Sequence, residues 1–182
     1  VKSRLLNLLL SQAGWFACVL GSAAVRPWLG AGIALALVAI HLLLVKDRSQ
    51  EIRLLLVAGL LGTTLDTVQG WLGIVVFRSG YLVDWLCPVW IMVLWVQFAT
   101  LLHFCLRWLS GRYGLAALFG MVGGPIAFYA GARLGAAELQ PTLWIALGAF
   151  ALEWALAMPV LLWLAGRFPV RSGYRLLDAD PA

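Results

Sequence analysis

The stretch TLWIALGAFALEWALAMPVLLWLAG, residues 142–166, decides the fold class. Glu153 is its only ionisable side chain, and the rest is apolar or small. A helix rises about 1.5 Å per residue, so this length crosses the roughly 30 Å hydrocarbon core of a bilayer. Five further apolar stretches precede it, at 4–24, 28–45, 52–77, 86–108 and 114–135. Connections of a few residues make consecutive helices antiparallel. The chain therefore reads as all-α, a polytopic membrane protein with six transmembrane helices forming one membrane domain over 1–182. Residues 167–182 read as a short, polar and mobile cytoplasmic tail.

Composition points the same way. The 182 residues are 63% hydrophobic and 12% charged, with a mean hydropathy of +0.95. Soluble domains run about 45–50% apolar and roughly a quarter charged. A soluble enzyme, a nucleic-acid-binding domain and a disordered chain are thereby excluded. The net charge of +5 is a matter of orientation rather than of nucleic acid. With the N-terminus inside, Lys2, Arg4, Lys46, Arg48, Arg53, Arg107, Arg112, Arg167, Arg171 and Arg175 are cytoplasmic. Only Arg26, Arg78 and Arg133 lie outside. Both termini are thus expected in the cytoplasm. Lys2 and Arg4 ahead of an apolar run, with Ser22-Ala23-Ala24 after it, imitate a signal peptide. The charge ledger balances only if that segment stays as a helix.

Little conventional chemistry is written in the sequence. Cys18, Cys87 and Cys105 have no paired spacing, and His41 and His103 form no metal motif. No metal, cofactor or catalytic set is expected.

Polar groups at membrane depth are costly, about 2.5–3.5 kcal/mol for a carboxylate on insertion scales, and mark candidate sites. Asp66 sits near the middle of the third stretch and Glu153 near the middle of the sixth. Both are expected to hold a proton unless a cation, donors or water reach them. Gly59, Gly62, Thr63, Asp66, Gly70 and Gly73 share one helical stripe, as do Ala146, Ala149, Glu153 and Ala157. Small neighbours let helices approach, so both carboxyls are expected to face protein. Gln97 is the expected partner of Asp66, with Tyr129 second. On the fourth stretch Gln97, Thr100, His103 and Arg107 descend toward the cytoplasm, to the depth of His41. The first stretch carries a seam of Asn7, Ser11, Gly14, Cys18 and Gly21.

The fifth stretch holds Gly123-Gly124-Pro125 within a run of small residues, Gly120, Gly124, Ala127, Gly131 and Gly135. Pro125 removes a backbone donor and crowds Met121, so a kink or break is expected there. The third and fifth helices are expected to pack through their glycine stripes.

Trp15-Phe16-Ala17-Cys18-Val19-Leu20-Gly21, Leu61-Gly62 with Asp66, Pro88-Val89-Trp90 with Leu94-Trp95 and Phe98-Ala99, and Gly120 through Gly135 make a series. It resembles a bacterial inner-membrane family known only as a domain of unknown function. Asp66, Trp90, Trp95, Pro125 and Tyr129 match the family pattern, and the glycine-proline stretch is its most specific part. The resemblance implies a multi-pass protein of the bacterial inner membrane, often encoded near fatty-acyl modification genes.

Three functions fit these residues. The first is a non-catalytic lipid-binding or accessory subunit of membrane-lipid metabolism, with a lipid, a partner membrane protein or a second copy as partner. The second is a small proton-coupled transporter using Asp66 and Glu153, with Gly123, Gly124 and Pro125 at the ligand. The third is an intramembrane lipid-modifying enzyme, with Asp66 or Glu153 as acid/base and His103 or His41 as relay.

Overall fold

The computed structural model describes residues 2–140, 142–171, 173–175 and 177. Its helices are α1 (Lys2–Ala23), α2 (Pro27–Leu44), α3 (Arg48–Trp71), α4 (Val89–Ala99), α5 (Tyr113–Arg133) and α6 (Leu143–Arg167). A short antiparallel ribbon pairs β1 (Val75–Phe77) with β2 (Ala137–Leu139), Val76 opposite Glu138. The fold is all-α apart from this ribbon. Helices α1, α2, α5 and α6 are long and apolar enough to cross a membrane. Their outward faces are apolar too: Trp144 is 80% exposed and Leu152 65%. Apolar surface on that scale suits lipid rather than water.

Three hairpins, α1–α2, α3–α4 and α5–α6, make up the bundle, and α4 lies in its interior against α1, α2 and α3. The α1–α2 pair is close because both sides offer glycine. A Cβ on Gly30 would strike the Ala17 carbonyl, and one on Gly21 would stand 3.0 Å from the Gly30 Cα. The seam of α1 buries Asn7, Ser11, Gly14 and Cys18. Gly14 makes room for the Gln97 side chain of α4, which a Cβ would approach to 2.7 Å.

The helix break lies in the fourth segment rather than the fifth. Regular helix ends at Ala99, and residues 100–106 continue in turns, followed by a 3-10 turn at Arg107–Leu109. Amides of Thr100, Leu101 and Leu102 donate to carbonyls three residues back. The Thr100 hydroxyl donates to the Gln97 carbonyl at 2.7 Å, and the Asn7 amide donates to the Thr100 carbonyl at 3.1 Å. Irregular backbone at membrane depth survives where protein covers it, and residues 99–104 are all buried. By contrast α5 runs unbroken through Pro125. The third segment is also shorter than expected. Helix α3 stops at Trp71, and Gly73 takes φ +68°, a left-handed position that glycine fills without a Cβ clash. Ile74 to Phe77 then leave the helix to enter the ribbon.

The segment after α6 is not loose over its described part. Tyr174 is fully buried against Phe104 and His41, its amide donates to the Ser3 hydroxyl, and Val45 pairs with it as an isolated bridge. The start of α1 and the segment around Tyr174 therefore meet at one end of the bundle. Residues 172, 176 and 178–182 of the expected tail lie outside the described residues.

Candidate functional site

Two buried acid clusters and one groove carry the polar chemistry of the interior. The first cluster surrounds Glu51, one turn into α3 and fully buried. His41 Nε2 lies 2.8 Å from Glu51 Oε1, and His103 Nδ1 lies 2.7 Å from Oε2. His41 Nδ1 meets the Tyr174 hydroxyl at 2.8 Å, with the Asn7 amide nitrogen at 3.5 Å. The Asn7 amide nitrogen can only donate, so His41 Nδ1 accepts and its Nε2–H donates to Glu51. His103 Nε2 faces the Ala165 carbonyl at 3.1 Å and must donate to it. One further proton is therefore shared between His103 Nδ1 and Glu51 Oε2. The Glu51–His103 pair is net neutral, which makes its burial tolerable. Burial pushes the Tyr174 phenol up to about 12, so it stays a donor.

The second cluster lies deeper, between α3, α4 and α6. Trp95 Nε1 donates to Asp66 Oδ2 at 2.5 Å, and Gln69 Nε2 donates to Glu153 Oε2 at 2.6 Å. Asp66 and Glu153 are 1% and 7% exposed. Their second oxygens, Asp66 Oδ1 and Glu153 Oε1, have no hydrogen-bond partner among the described residues, nor has Gln69 Oε1.

The glycine stripes of α3 and α5 explain the tryptophans. A Cβ on Gly62 would collide with the Trp95 ring, and Cβ atoms on Gly120 and Gly124 would collide with Trp154. The two indoles stack between these stripes, 4.7 Å apart and 11° from parallel. The sequence suggested direct glycine contact between the third and fifth helices, and the structure does not show it. Each stripe makes room for a ring instead, and α5 packs on α6.

The expected partners of Asp66 are corrected as well. Gln97 turns the other way, donating to the Leu10 carbonyl at 2.9 Å, and Tyr129 is 42% exposed on the outside of α5. Trp95 is the partner because Gly62 lets its ring lie flat against α3, one turn before Asp66.

A groove of about 470 Å³ opens between α1 and α5, with α4 as its floor. Its walls include Trp15, Leu94, Phe98 and Phe128, and Gly123, Gly124, Gln97 and Asp66 also face it. Trp154 lines it too, and its Nε1 has no partner among the described residues. A second, smaller cavity of about 200 Å³ opens beside the ribbon and also reaches Asp66. Pro125 is half-buried in α5, and His103 belongs to the Glu51 cluster, away from the groove.

Sequence reasoning missed Glu51, Gln69 and Tyr174. The first two were readable: the stripe through Gly62 and Asp66 runs back by threes and fours to Ala58, Leu55 and Glu51, and forward to Gln69. Nothing at the level of sequence draws Tyr174 inward.

These features define a small helical protein with a membrane-compatible exterior and a buried polar interior. A family model described as a protein of unknown function, DUF2878, matches residues 4–160, and the chain belongs to that family. No curated protein and no solved structure matches it.

Proposed function

We propose that this is a six-crossing protein of the bacterial inner membrane that holds the acyl chain of a membrane lipid, as a non-catalytic lipid-binding or accessory subunit. The observation that carries the reading is the groove between α1 and α5. Its lining is apolar and aromatic, its volume falls among those of ligand sites, and the helices on either side scarcely touch. Along α1 it runs from Leu8 to Val19, about 16 Å at the rise of a helix, roughly one leaflet. A single chain fits that length, and the bilayer supplies such chains.

The alternation of the ends supports the reading of six crossings. Helix α3 delivers the chain to the ribbon end, and α5 starts from the end where α1 begins and Tyr174 docks. On this reading helix α4 and the turns after it bring the chain back across. The excess of basic residues at the end where α1 begins supports a cytoplasmic placement for it.

Gly123 offers a test, because a Cβ there meets nothing within 4 Å and a larger side chain grows into the groove. Native mass spectrometry of the gently extracted protein should show bound lipid on the wild type and less on Gly123→Phe. A bare wild type, or equal retention by both, contradicts the reading.

A further inference from the structure

The smaller cavity is built differently from the groove. Trp71, Tyr81 and Trp85 stand around it, Asp66 lies at its base, and Asp84 sits exposed at its mouth. Among the described residues lining it there is no Lys or Arg. The aromatic wall is held by the chain itself. Trp71 Nε1 donates to the Trp85 carbonyl at 2.9 Å, and the Tyr81 hydroxyl donates to the Phe77 carbonyl at 3.3 Å. Beside Asp66 the loop is pinned where the Cys87 amide donates to the Thr67 hydroxyl at 3.1 Å. Asp66 is 1% exposed, and its Oδ1 has no partner among the described residues.

We propose that this vestibule binds an organic ammonium group, with Asp66 as its anionic base and Trp71, Tyr81 and Trp85 as its wall. Aromatic faces attract such cations through the ring quadrupole, most strongly where water is thin. An ammonium brings N–H donors, or the positive methyl shell of a quaternary amine, to a carboxyl that has one oxygen unmatched. Asp84 at the mouth adds attraction of the same sign. Asp66 and Phe77 line both the vestibule and the groove, so a headgroup here and a chain there can belong to one amphiphile. In that form the inference rests on the lipid reading above. A free small amine would use the same contacts.

The test is calorimetric titration of choline into the full-length protein in phosphatidylglycerol nanodiscs, with potassium as the control cation. Saturable binding of choline and none of potassium is expected. Asp66→Asn, which keeps an acceptor for Trp95, should weaken it by about tenfold or more, equivalent to roughly 1.4 kcal/mol. Asp84→Asn, at an exposed site that does not endanger folding, should weaken it severalfold. Absence of saturable binding, or equal affinity in the wild type and both variants, overturns the proposal. Phosphatidylethanolamine in the nanodisc lowers the apparent affinity for choline if a lipid headgroup is the natural occupant. It leaves that affinity unchanged if a free amine is. Gly123→Phe closes the groove alone, so choline binding that survives in it separates failure of the groove reading from failure of this one.

Discussion

Glu51 and Asp66 stand on the same stripe of α3, both almost wholly buried, yet their surroundings differ in completeness. Both oxygens of Glu51 have a histidine, and each histidine has a further partner on its far nitrogen. Asp66 and its neighbour Glu153 each have one oxygen held and one left over. Asn7 Oδ1, at the edge of the Glu51 cluster, also has no partner among the described residues, but the Glu51 carboxylate itself is satisfied. Such a group specifies a fold, whereas an orphaned carboxyl oxygen calls for an explanation. The Glu51 cluster joins α2, α3, the turns after α4 and the segment after α6, which makes it a structural clasp. The Asp66 cluster borders two cavities, which makes it a place for something else to bind.

The comparison breaks most visibly at Glu51. Replacing it with alanine leaves two imidazoles and a stranded proton in the interior. Loss of one partner from a buried ionic pair costs about 3–5 kcal/mol. Thermal unfolding in detergent should show a large drop in midpoint and in folded yield. Asp66→Asn should shift the midpoint far less, since the Trp95 bond survives. Equal losses would erase the distinction between the clusters.

A middle-sized effect concerns the stacked indoles. Gly62→Ala or Gly124→Ala pushes a methyl into a ring, and overpacking of this kind costs about 1–3 kcal/mol. Gly131→Ala meets nothing within 4 Å and should leave the same unfolding midpoint nearly unchanged. Similar shifts at all three positions would mean that the rings, and not the helices, give way.

The smallest effect belongs to the surface of the clasp. Hydrogen bonds from Arg171 hold the Asp47 carboxyl below its ordinary value of about 3.9, and the pair is open to solvent. Because the folded pKa is the lower one, the contribution is present above the unfolded value and lost as pH falls through the folded one. Exposed pairs are worth little, about 0–1 kcal/mol. Protection of the Arg171 amide, which donates to Asp47, should therefore decline only at acid pH, and high salt should reduce it at neutral pH. Protection independent of both would assign the docking of this segment to Tyr174 alone.

Much of the fold was legible because lipid imposes strong rules. Length and hydropathy mark the helices, and the inward stripe of α3 follows from Gly62 and Asp66. The fourth segment was not legible: residues 100–109 are as apolar as a helix, and only tertiary bonds at Asn7 and Thr100 reward the turns. At Pro125 the sequence allowed a kink or a break, and no break forms, since the small residues around it tolerate the ring. At the site, the carboxyls could be found by their cost, but not their partners. Trp95 and Trp154 look like any buried aromatic until Gly62 and Gly124 are seen to make room for them. Tyr174 is hidden because a polar, basic tail gives no sign that one ring turns inward.

The central claim is that the groove between α1 and α5 holds an acyl chain. A cryo-electron microscopy map of the protein in lipid nanodiscs tests it most directly. The account predicts rod-like non-protein density along α4, passing Trp15, Phe98 and Gly123 and ending near Asp66. A groove closed by α1 packed on α5, or one filled by the protein's own side chains, would contradict it.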